Sequence, residues 1–224
     1  PRIYDTWKDL VEADDIDAVC IGTWPYLHAP ITIAALEAGK HVLTEARMAL
    51  NANEARTMLA ASRKKPSLVA QVVPAPLTFK VDATIRRLLT EGYVGNILAI
   101  ELRGTQNTFA DSDSLLHWRQ DSSLSGYNIL NLGIWYETLM RWVGPARRVM
   151  AMTKVVVKKR YDQNGQMRIV EVPDHVDVLC GMACGAQAHI SVSAVTGLAD
   201  PGEAWIFGST GTLKLELASL ALFG

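Results

Sequence analysis

The chain has 224 residues, of which 49% are hydrophobic and 20% charged, with a formal net charge of −1. Because 22 basic residues balance 23 acidic ones, the chain has no net positive charge that would attract nucleic acid or an anionic membrane. Its apolar stretches are also much shorter than the roughly 20 residues that span a bilayer. Cys20, Cys180 and Cys184 are too few for a disulfide framework. We therefore expect no nucleic-acid partner, no membrane partner and a cytoplasmic location.

The first third of the sequence alternates between helical and strand patterns. Apolar spacing, and glycines at the ends of the elements, predict helix 5–15, strand 17–23, helix 30–38, strand 41–44, a helix to about residue 63, and strand 68–73. Asn51 or Asn53 is predicted to cap the third helix. The strand segments are continuously apolar, which predicts burial on both faces. Strands separated by helices in this way indicate a doubly wound parallel sheet.

Beyond residue 74 the pattern changes to one long helix and many strands. The predicted elements are helix 79–91, strand 96–104, a polar loop 105–123, an apolar helix 125–143, and strands 149–158, 167–172, 176–183, 186–194, 204–207 and 212–217. Short turns join the later strands, which favours antiparallel pairing. The fold prediction is a partial α/β Rossmann-like domain at 1–73, followed at 74–224 by an α+β domain with a large, mainly antiparallel sheet.

Four segments resemble one known family, the Gfo/Idh/MocA proteins, named for glucose-fructose oxidoreductase, inositol dehydrogenase and rhizopine catabolism. They are residues 19–28 (VCIGTWPYLH), 34–45 (AALEAGKHVLTE), 132–134 (LGI) and 208–213 (GSTGTL). The resemblance implies NAD or NADP at a Rossmann domain and a sugar or polyol as the small-molecule substrate. It also implies a homo-oligomer formed through the antiparallel sheet.

The glycine-rich turn that holds a dinucleotide pyrophosphate is absent from this chain. No G-x-G-x-x-G motif occurs, and the glycines at 208 and 211 are predicted to belong to a hairpin turn. In the family, this turn lies in a segment that precedes the point where the present sequence begins. We expect a sequence truncated at its N-terminus; the alternative is a protein that does not hold a dinucleotide in the usual way.

The residues that usually catalyse the family reaction are replaced. A Glu-Lys-Pro motif of the family aligns with Glu45-Ala46-Arg47, so the lysine is absent, and an arginine is too basic to replace it as a base. An Asp-x-Gly-x-His-x-x-Asp motif aligns with a segment that has Asn131, Trp135 and Thr138 at its polar positions. Helical spacing predicts that these three share a face with Tyr127. This face can form hydrogen bonds and stack on a sugar but has no conventional base.

The resemblance assigns candidate roles to individual residues. The candidate catalytic residues are His28, Tyr127, Asn131 and Trp135, and the candidate substrate-binding residues are Arg47, Tyr127, Asn131, Trp135 and Thr138. The candidate cofactor-binding residues are Gly22, Thr23, Trp24, His28, Glu45, Ala46, Trp118 and Arg119.

Several of these candidates have a structural alternative. His28 is either a site residue or a helix-start histidine satisfied by backbone, and Glu45 is either a cofactor ligand or a buried carboxylate. Tyr127, at a position where the family usually has glycine, either narrows the pocket or supplies an acid/base phenol. Arg119 contacts a ligand or is a structural cation on a loop.

No metal site is expected. The histidines lack metal-like spacing, and Cys180 and Cys184 have no second ligand pair, so ordinary packing is the better interpretation. The basic run Lys154, Lys158, Lys159 and Arg160 is interpreted as the solvated end of a strand rather than a phosphate site.

Three functions are compatible with these features. The first is an NAD(P)-dependent oxidoreductase acting on a sugar, polyol or related carbonyl compound with a non-standard proton-transfer site. The second is a catalytically degenerate family member that binds a ligand or assembles with a partner. The third is an NAD-using glycosidase or lyase. The resemblance favours the first.

Overall fold

Residues 2–74, 78–129, 131–196 and 200–224 are described by a computed structural model of the protein. The chain divides into two compact units, Pro1–Pro74 with Trp118–Asn128, and Ala75–His117 with Ile129–Gly224. The segment Trp118–Asn128 thus packs with the first unit, although the sequence boundary at residue 74 assigned it to the later domain. Within the described ranges, no helix combines the length and apolar character needed to cross a membrane.

The helices and strands follow the predicted order. The helices are α1 (Trp7–Glu12), α2 (His28–Glu37), α3 (Ala52–Lys64), α4 (Thr78–Thr90), α5 (Ser122–Ser125) and α6 (Leu132–Val143), with 3₁₀ turns at Pro25–Leu27 and Trp118–Gln120. The strands are β1 (Ala18–Ile21), β2 (His41–Thr44), β3 (Ala70–Val72), β4 (Ile97–Thr105), β5 (Ala146–Lys154), β6 (Lys159–Tyr161), β7 (Met167–Ile169), β8 (His175–Met182), β9 (Gln187–Ser193), β10 (Gly202–Gly208), β11 (Thr212–Glu216) and β12 (Leu222–Phe223).

The first unit contains a parallel sheet of three strands in the order β1-β2-β3. Ile21 of β1 pairs with Thr44 of β2, which pairs with Val72 of β3, so the carboxyl ends of the strands lie at one edge. Asn51 caps α3 by accepting hydrogen bonds from two backbone amides. These features confirm the predicted Rossmann-like arrangement of parallel strands and helices.

The predicted burial of these strands on both faces is wrong. Val19, Ile21 and Val42 pack against apolar residues of α1 and α2 on one face. On the other face Cys20 is exposed and Leu43 is 39% exposed, and Val69, just before β3, is 57% exposed. Among the described residues, helices therefore bury only one face of the sheet. A continuous apolar run in the sequence does not distinguish a strand buried on one face from a strand buried on both.

The second unit is built on a sheet of seven strands in the order β12-β11-β10-β4-β9-β8-β5. β4 and β9 pair in parallel, whereas the other neighbouring pairs are antiparallel, which confirms the mainly antiparallel sheet. The backbone amide of Gly208 donates to the carbonyl of Gly211 (2.9 Å), as expected of the predicted hairpin turn. Helices α4 and α6 contribute Ile85 and Leu139 to the core on one face.

A carboxylate joins these two helices. Asp82 of α4 accepts hydrogen bonds from Arg141 (Nη2 to Oδ2, 2.7 Å) and Trp142 (Nε1 to Oδ1, 3.0 Å) of α6. The hydrogen bond from Arg141 is the main cause that holds the pKa of Asp82 below its ordinary value. This interaction fixes the position of α6, which carries the candidate site residue Trp135.

The predicted helix 125–143 is wrong in its first third. Its first residue lies at the end of α5, and α6 begins only at Leu132; residue 130 lies outside the described residues. Gly126 has φ +64°, and the carbonyl of Leu50 occupies the space that a side chain at Gly126 would need. The backbone therefore leaves the helical path here, and Tyr127 does not share a helix face with Trp135.

The predicted strand 149–158 is also divided, and one of its basic neighbours is buried. Strand β5 ends at Lys154, and the separate strand β6 pairs with β7. Arg160 of β6 is only 2% exposed and donates to the carbonyls of Phe109 (2.8 Å), Asp111 (2.7 Å) and Ser114 (2.9 Å). The pKa of Arg160 lies below its ordinary value, mainly because the side chain is buried. The prediction that Arg160 is a solvated cation is wrong. Its side chain points inward from β6, and its hydrogen bonds hold the loop before residue 115 in place.

Candidate functional site

The carboxyl edge of the parallel sheet brings together most of the predicted cofactor residues. Gly22, Thr23 and Trp24 follow β1, and Glu45 and Ala46 follow β2; all five are exposed. Ligands of open parallel sheets bind at this edge, outside the carboxyl ends of the strands. A side chain at Gly22 would meet no other atom within 4 Å, so the backbone there is open to a ligand. Because Glu45 is exposed, its interpretation as a buried carboxylate is wrong.

His28 connects the two loops that form this edge. It is 1% exposed, its Nδ1 lies 2.6 Å from the carbonyl oxygen of Arg47, and its Nε2 lies 2.8 Å from that of Thr23. A carbonyl oxygen only accepts hydrogen bonds, so both ring nitrogens face structural acceptors. The arrangement favours the structural alternative for His28, since backbone carbonyls engage both ring nitrogens.

Aromatic rings and arginines line the neighbouring surface of the same unit. Trp24 stacks on Trp118 with ring centroids 6.3 Å apart, and the guanidinium of Arg119 lies 4.2 Å from the centroid of the Trp118 ring. Arg47 is half-buried, and its Nη1 donates to Oγ of Ser125 (2.7 Å). Burial, followed by the charge of Arg119, lowers the pKa of Arg47 to about 10. Arg47 therefore stays protonated near neutral pH and is a fixed charge rather than a base.

Tyr127 belongs to this first unit as well. Its side chain is 63% exposed, and it follows Gly126 at the turn after α5. A phenol can both donate and accept a hydrogen bond. Of the two titratable residues among the predicted catalytic residues, His28 is buried and Tyr127 is exposed.

The second unit contains a cavity of about 490 Å³ at the end of β4 and the beginning of α6. Its lining residues are uncharged and mostly polar: Gly104, Thr105, Gln106, Asn107, Thr108, Asn131, Trp135, Thr196, Pro201 and Leu217. The volume suits a small molecule. Amides, hydroxyls and an indole offer hydrogen bonds and a stacking face, so the cavity fits a neutral, hydroxyl-rich ligand better than an ion.

The three residues predicted on α6 have different positions. Asn131 occupies the N-cap position of the helix and Trp135 lies one turn into it, and both line the cavity. Thr138 is fully buried, and its hydroxyl donates to the carbonyl of Ile134 (2.9 Å) within the helix. Its position gives no support to its predicted contact with substrate.

Sequence reasoning missed the wall of the cavity that follows β4. Thr105 is the last residue of β4, and Gln106, Asn107 and Thr108 follow it. A polar run at the end of a strand is a common place for ligand-binding side chains. The run was interpreted only as the beginning of a polar loop. A strand that ends in four consecutive hydrogen-bonding residues was the signal that could have identified it.

Two family models match the chain. One, described as the GFO/IDH/MocA C-terminal domain, matches residues 83–214, and the other, described as an oxidoreductase family NAD-binding Rossmann fold, matches residues 2–72. The first alone covers more than half of the chain.

Individual relatives agree with these matches. Levoglucosan dehydrogenase of Pseudarthrobacter phenanthrenivorans is 34% identical over 124 residues, which cover 55% of this chain and 32% of that protein. Trans-1,2-dihydrobenzene-1,2-diol dehydrogenase of Mus musculus is 24% identical over 216 residues, covering 96% of this chain and 60% of that protein. A structure of levoglucosan dehydrogenase in complex with NADH and L-sorbose superposes with a TM-score of 0.86 at 26% identity, covering 96% of this chain and 58% of that chain. The chain thus spans 60% or less of the length of each relative.

Replacing Gly104 tests the wall of the cavity. A Cβ at Gly104 would lie 2.8 Å from Nε1 of Trp135, so Gly104→Ala must displace the indole. We expect a free energy of unfolding lower by about 1–3 kcal/mol and a shifted tryptophan emission. Gly133→Ala is the matched control, because a Cβ there meets nothing within 4 Å and alanine favours the helix by about 1 kcal/mol. Equal effects of the two substitutions in chemical denaturation would contradict the described contact.

Proposed function

Because the chain belongs to the GFO/IDH/MocA family, we propose that it acts as an NAD- or NADP-dependent oxidoreductase on a sugar, a polyol or a related carbonyl compound. The observation that carries the proposal is the uncharged polar cavity of the second unit, lined by Asn131 and Trp135. The solved complex of levoglucosan dehydrogenase with NADH and L-sorbose supports the same class of ligand.

In the cavity, Asn131 and Trp135 of the predicted helical site can bind the hydroxyl groups and the ring of a sugar. The amide of Asn131 can donate to one hydroxyl of a sugar and accept from another. The indole of Trp135 offers an N–H donor and an apolar face. Thr105 and Gln106 extend the set of hydrogen-bonding groups along one wall. These groups bind and orient a ligand, but none of them has a pKa suited to proton transfer near neutral pH.

The residues at the carboxyl edge of the first unit suit one end of a dinucleotide. Gly22 leaves room for close approach of a ligand to the backbone, Thr23 adds a hydroxyl, and Trp24 offers an exposed ring. Glu45 supplies an exposed carboxylate that can accept from ribose hydroxyls. NAD or NADP, when bound, supplies the hydride acceptor.

Proton transfer is assigned to Tyr127. His28 is engaged by two backbone carbonyls, and Arg47 is a fixed cation. The exposed phenol of Tyr127 can pass a proton between a ligand hydroxyl and water. This assignment replaces the lysine, aspartate and histidine that the family usually has.

A second candidate function is ligand binding without catalysis. It is favoured by one observation, which is that none of the described residues that line the cavity is ionisable. Binding of a polyol with no change in the cofactor would identify this function. No feature of the described residues selects the glycosidase or lyase hypothesis over these two.

Turnover by a tyrosine variant tests the proposed chemistry. With a panel of sugars and polyols, we expect NADH or NADPH formation by the full chain and a kcat lowered about 10²- to 10⁴-fold by Tyr127→Phe, because the general acid/base is lost. Tyr161→Phe is the control, since Tyr161 is equally exposed (60% against 63%) but lies on β6. If no member of the panel is oxidised although several bind, ligand binding without catalysis is the correct function.

We also propose that two or more copies associate through the open face of the seven-stranded sheet. Met150 and Met152 of β5 are 72% and 76% exposed, and Leu179 of the adjacent β8 is 47% exposed. Farther along the same face, Trp205 and Phe207 stack with centroids 5.5 Å apart. Polar side chains, His189 of β9 and Glu101 of β4, lie between these two apolar groups on the face. Exposed apolar groups bordered by polar residues are typical of an interface, and the family resemblance implies that the partner is a second copy.

Sedimentation measures this association. We expect the full chain to sediment as an oligomer and a Met150→Lys, Met152→Lys variant to sediment as a monomer, because two charges would have to be buried. Val69→Lys is the control, as Val69 is exposed and apolar but lies beside the other sheet. A monomeric wild-type chain, or an oligomer that survives both lysines, would be incompatible with this interface.

We further propose a cytoplasmic location. The three cysteines are free, and Cys20 and Cys184 are exposed. A reducing compartment keeps such thiols from forming disulfides.

A further inference from the structure

We infer that His175, Asp177 and His189 form a pH-sensitive element on the open face of the seven-stranded sheet, and that acidification of this element weakens the association of two copies. The inference rests on the association proposed above and is independent of the proposed dehydrogenation. It adds a regulation that the apolar residues of the face do not provide by themselves.

A carboxylate holds the two histidines together. His175 and Asp177 belong to β8, and His189 belongs to the adjacent β9. Nε2 of His175 lies 3.0 Å from Oδ2 of Asp177, and Nε2 of His189 lies 3.2 Å from Oδ1 of the same carboxylate. The side chains of His175, Asp177 and His189 are 29%, 39% and 49% exposed, so water and protons reach this histidine-aspartate cluster in the single chain.

The histidine-aspartate cluster lies among the residues of the proposed interface. Asp177 pairs with Met152 of β5, and Leu179 pairs with Met150 on one side and with His189 on the other. Side chains of directly paired residues lie on the same face of a sheet. A second copy that covers Met150 and Met152 would therefore remove the cluster from water as well.

Acidification reverses the charge of the cluster. Burial acts to raise the pKa of Asp177, but hydrogen bonds from Ser191, His175 and His189 outweigh it and hold this pKa below its ordinary value. The carboxyl therefore stays ionised between about pH 8 and about pH 5, the range in which histidine side chains ordinarily gain a proton. The single negative charge of the carboxylate is then exceeded by the charges of two imidazolium rings.

The neighbouring charges do not offset this change. Lys154 of β5 faces His175, and Glu101 of β4 faces His189. The strand register places further charged side chains on the same face: Arg103, Arg148, Glu203, Lys214 and Glu216. With Asp177, the named cations and anions balance, so two protonated histidines leave each face with an excess of positive charge. Two such faces repel each other, and burying the imidazolium rings between them costs desolvation energy.

Sedimentation equilibrium of the full chain at about pH 7.5 and about pH 5.5 tests the inference. The variants are His175→Gln, His189→Gln and the double variant, because a glutamine amide stays neutral and can still donate to Asp177. We expect the dissociation constant of the wild type to rise about ten- to hundredfold in acid, since protons bind the separate copies better than the associated ones. The double variant should show less than about a threefold rise, and each single variant an intermediate one. His189 is about half exposed, so His189→Gln tests the inference even if the double variant folds poorly.

His41→Asn is the matched control. His41 belongs to β2 of the parallel sheet, and its Nδ1 accepts a hydrogen bond from the backbone amide of Val69 (2.9 Å). The side-chain oxygen of asparagine can accept the same hydrogen bond. The variant thus removes a titratable histidine outside the seven-stranded sheet, and it should keep the pH dependence of the wild type.

Salt distinguishes charge repulsion from unfolding in acid. At about pH 5.5, a higher salt concentration should strengthen the association of the wild type, because like charges are screened, and should change the double variant little. The far-UV circular dichroism of the wild type should be the same at both pH values, since the copies separate without unfolding.

Failure of the inference differs from failure of the proposed association. A wild-type dissociation constant that is unchanged or lower in acid overturns the inference and leaves the association standing. The inference is also overturned if the double variant is as pH-sensitive as the wild type, if His41→Asn abolishes the pH dependence, or if the far-UV signal is lost in acid. A chain that is monomeric at both pH values rejects the association and the inference with it.

Discussion

The close approach of Gly126 to the backbone of Leu50 is the constraint on which the arrangement of the candidate residues depends. The carbonyl of Leu50 fills the space of a side chain at Gly126, whose φ of +64° glycine adopts without strain. Asn128 strengthens the contact, since its amide donates to the carbonyls of Ala49 and Ser125. The segment Trp118–Asn128 is thereby attached to the first unit, although residues on both sides of it belong to the second.

This attachment separates the candidate residues into two chemically different groups. The first unit collects the titratable and charged groups, with Tyr127 and Arg119 carried by the attached segment and Arg47 by the loop after β2. The second unit retains an uncharged cavity formed where β4 ends and α6 begins. Of the candidate residues, those with charged or titratable side chains therefore lie in the first unit, and those that line the cavity lie in the second.

The sequence predicted the parallel and antiparallel sheets because apolar periodicity and turn residues act locally. It did not predict where α6 begins. The path of the backbone at Gly126 depends on its contact with Leu50, which lies 76 residues earlier in the chain. Arg160 was misinterpreted for the same reason: its acceptors lie on a distant loop, at Phe109 and Asp111. Asn131 and Trp135, which the resemblance assigned to the site, line a cavity, whereas Thr138, assigned with them, is buried.

Hydrogen exchange tests most directly whether Trp118–Asn128 folds with the first unit. Leu36 is fully buried in the core of that unit, so Leu36→Ala should destabilise it by about 2–5 kcal/mol. We expect the amides of the attached segment to lose protection together with those of β1 and β2, while the amides of α6 keep theirs. If the amides of Trp118–Asn128 instead keep their protection together with those of α6, the segment does not fold with the first unit.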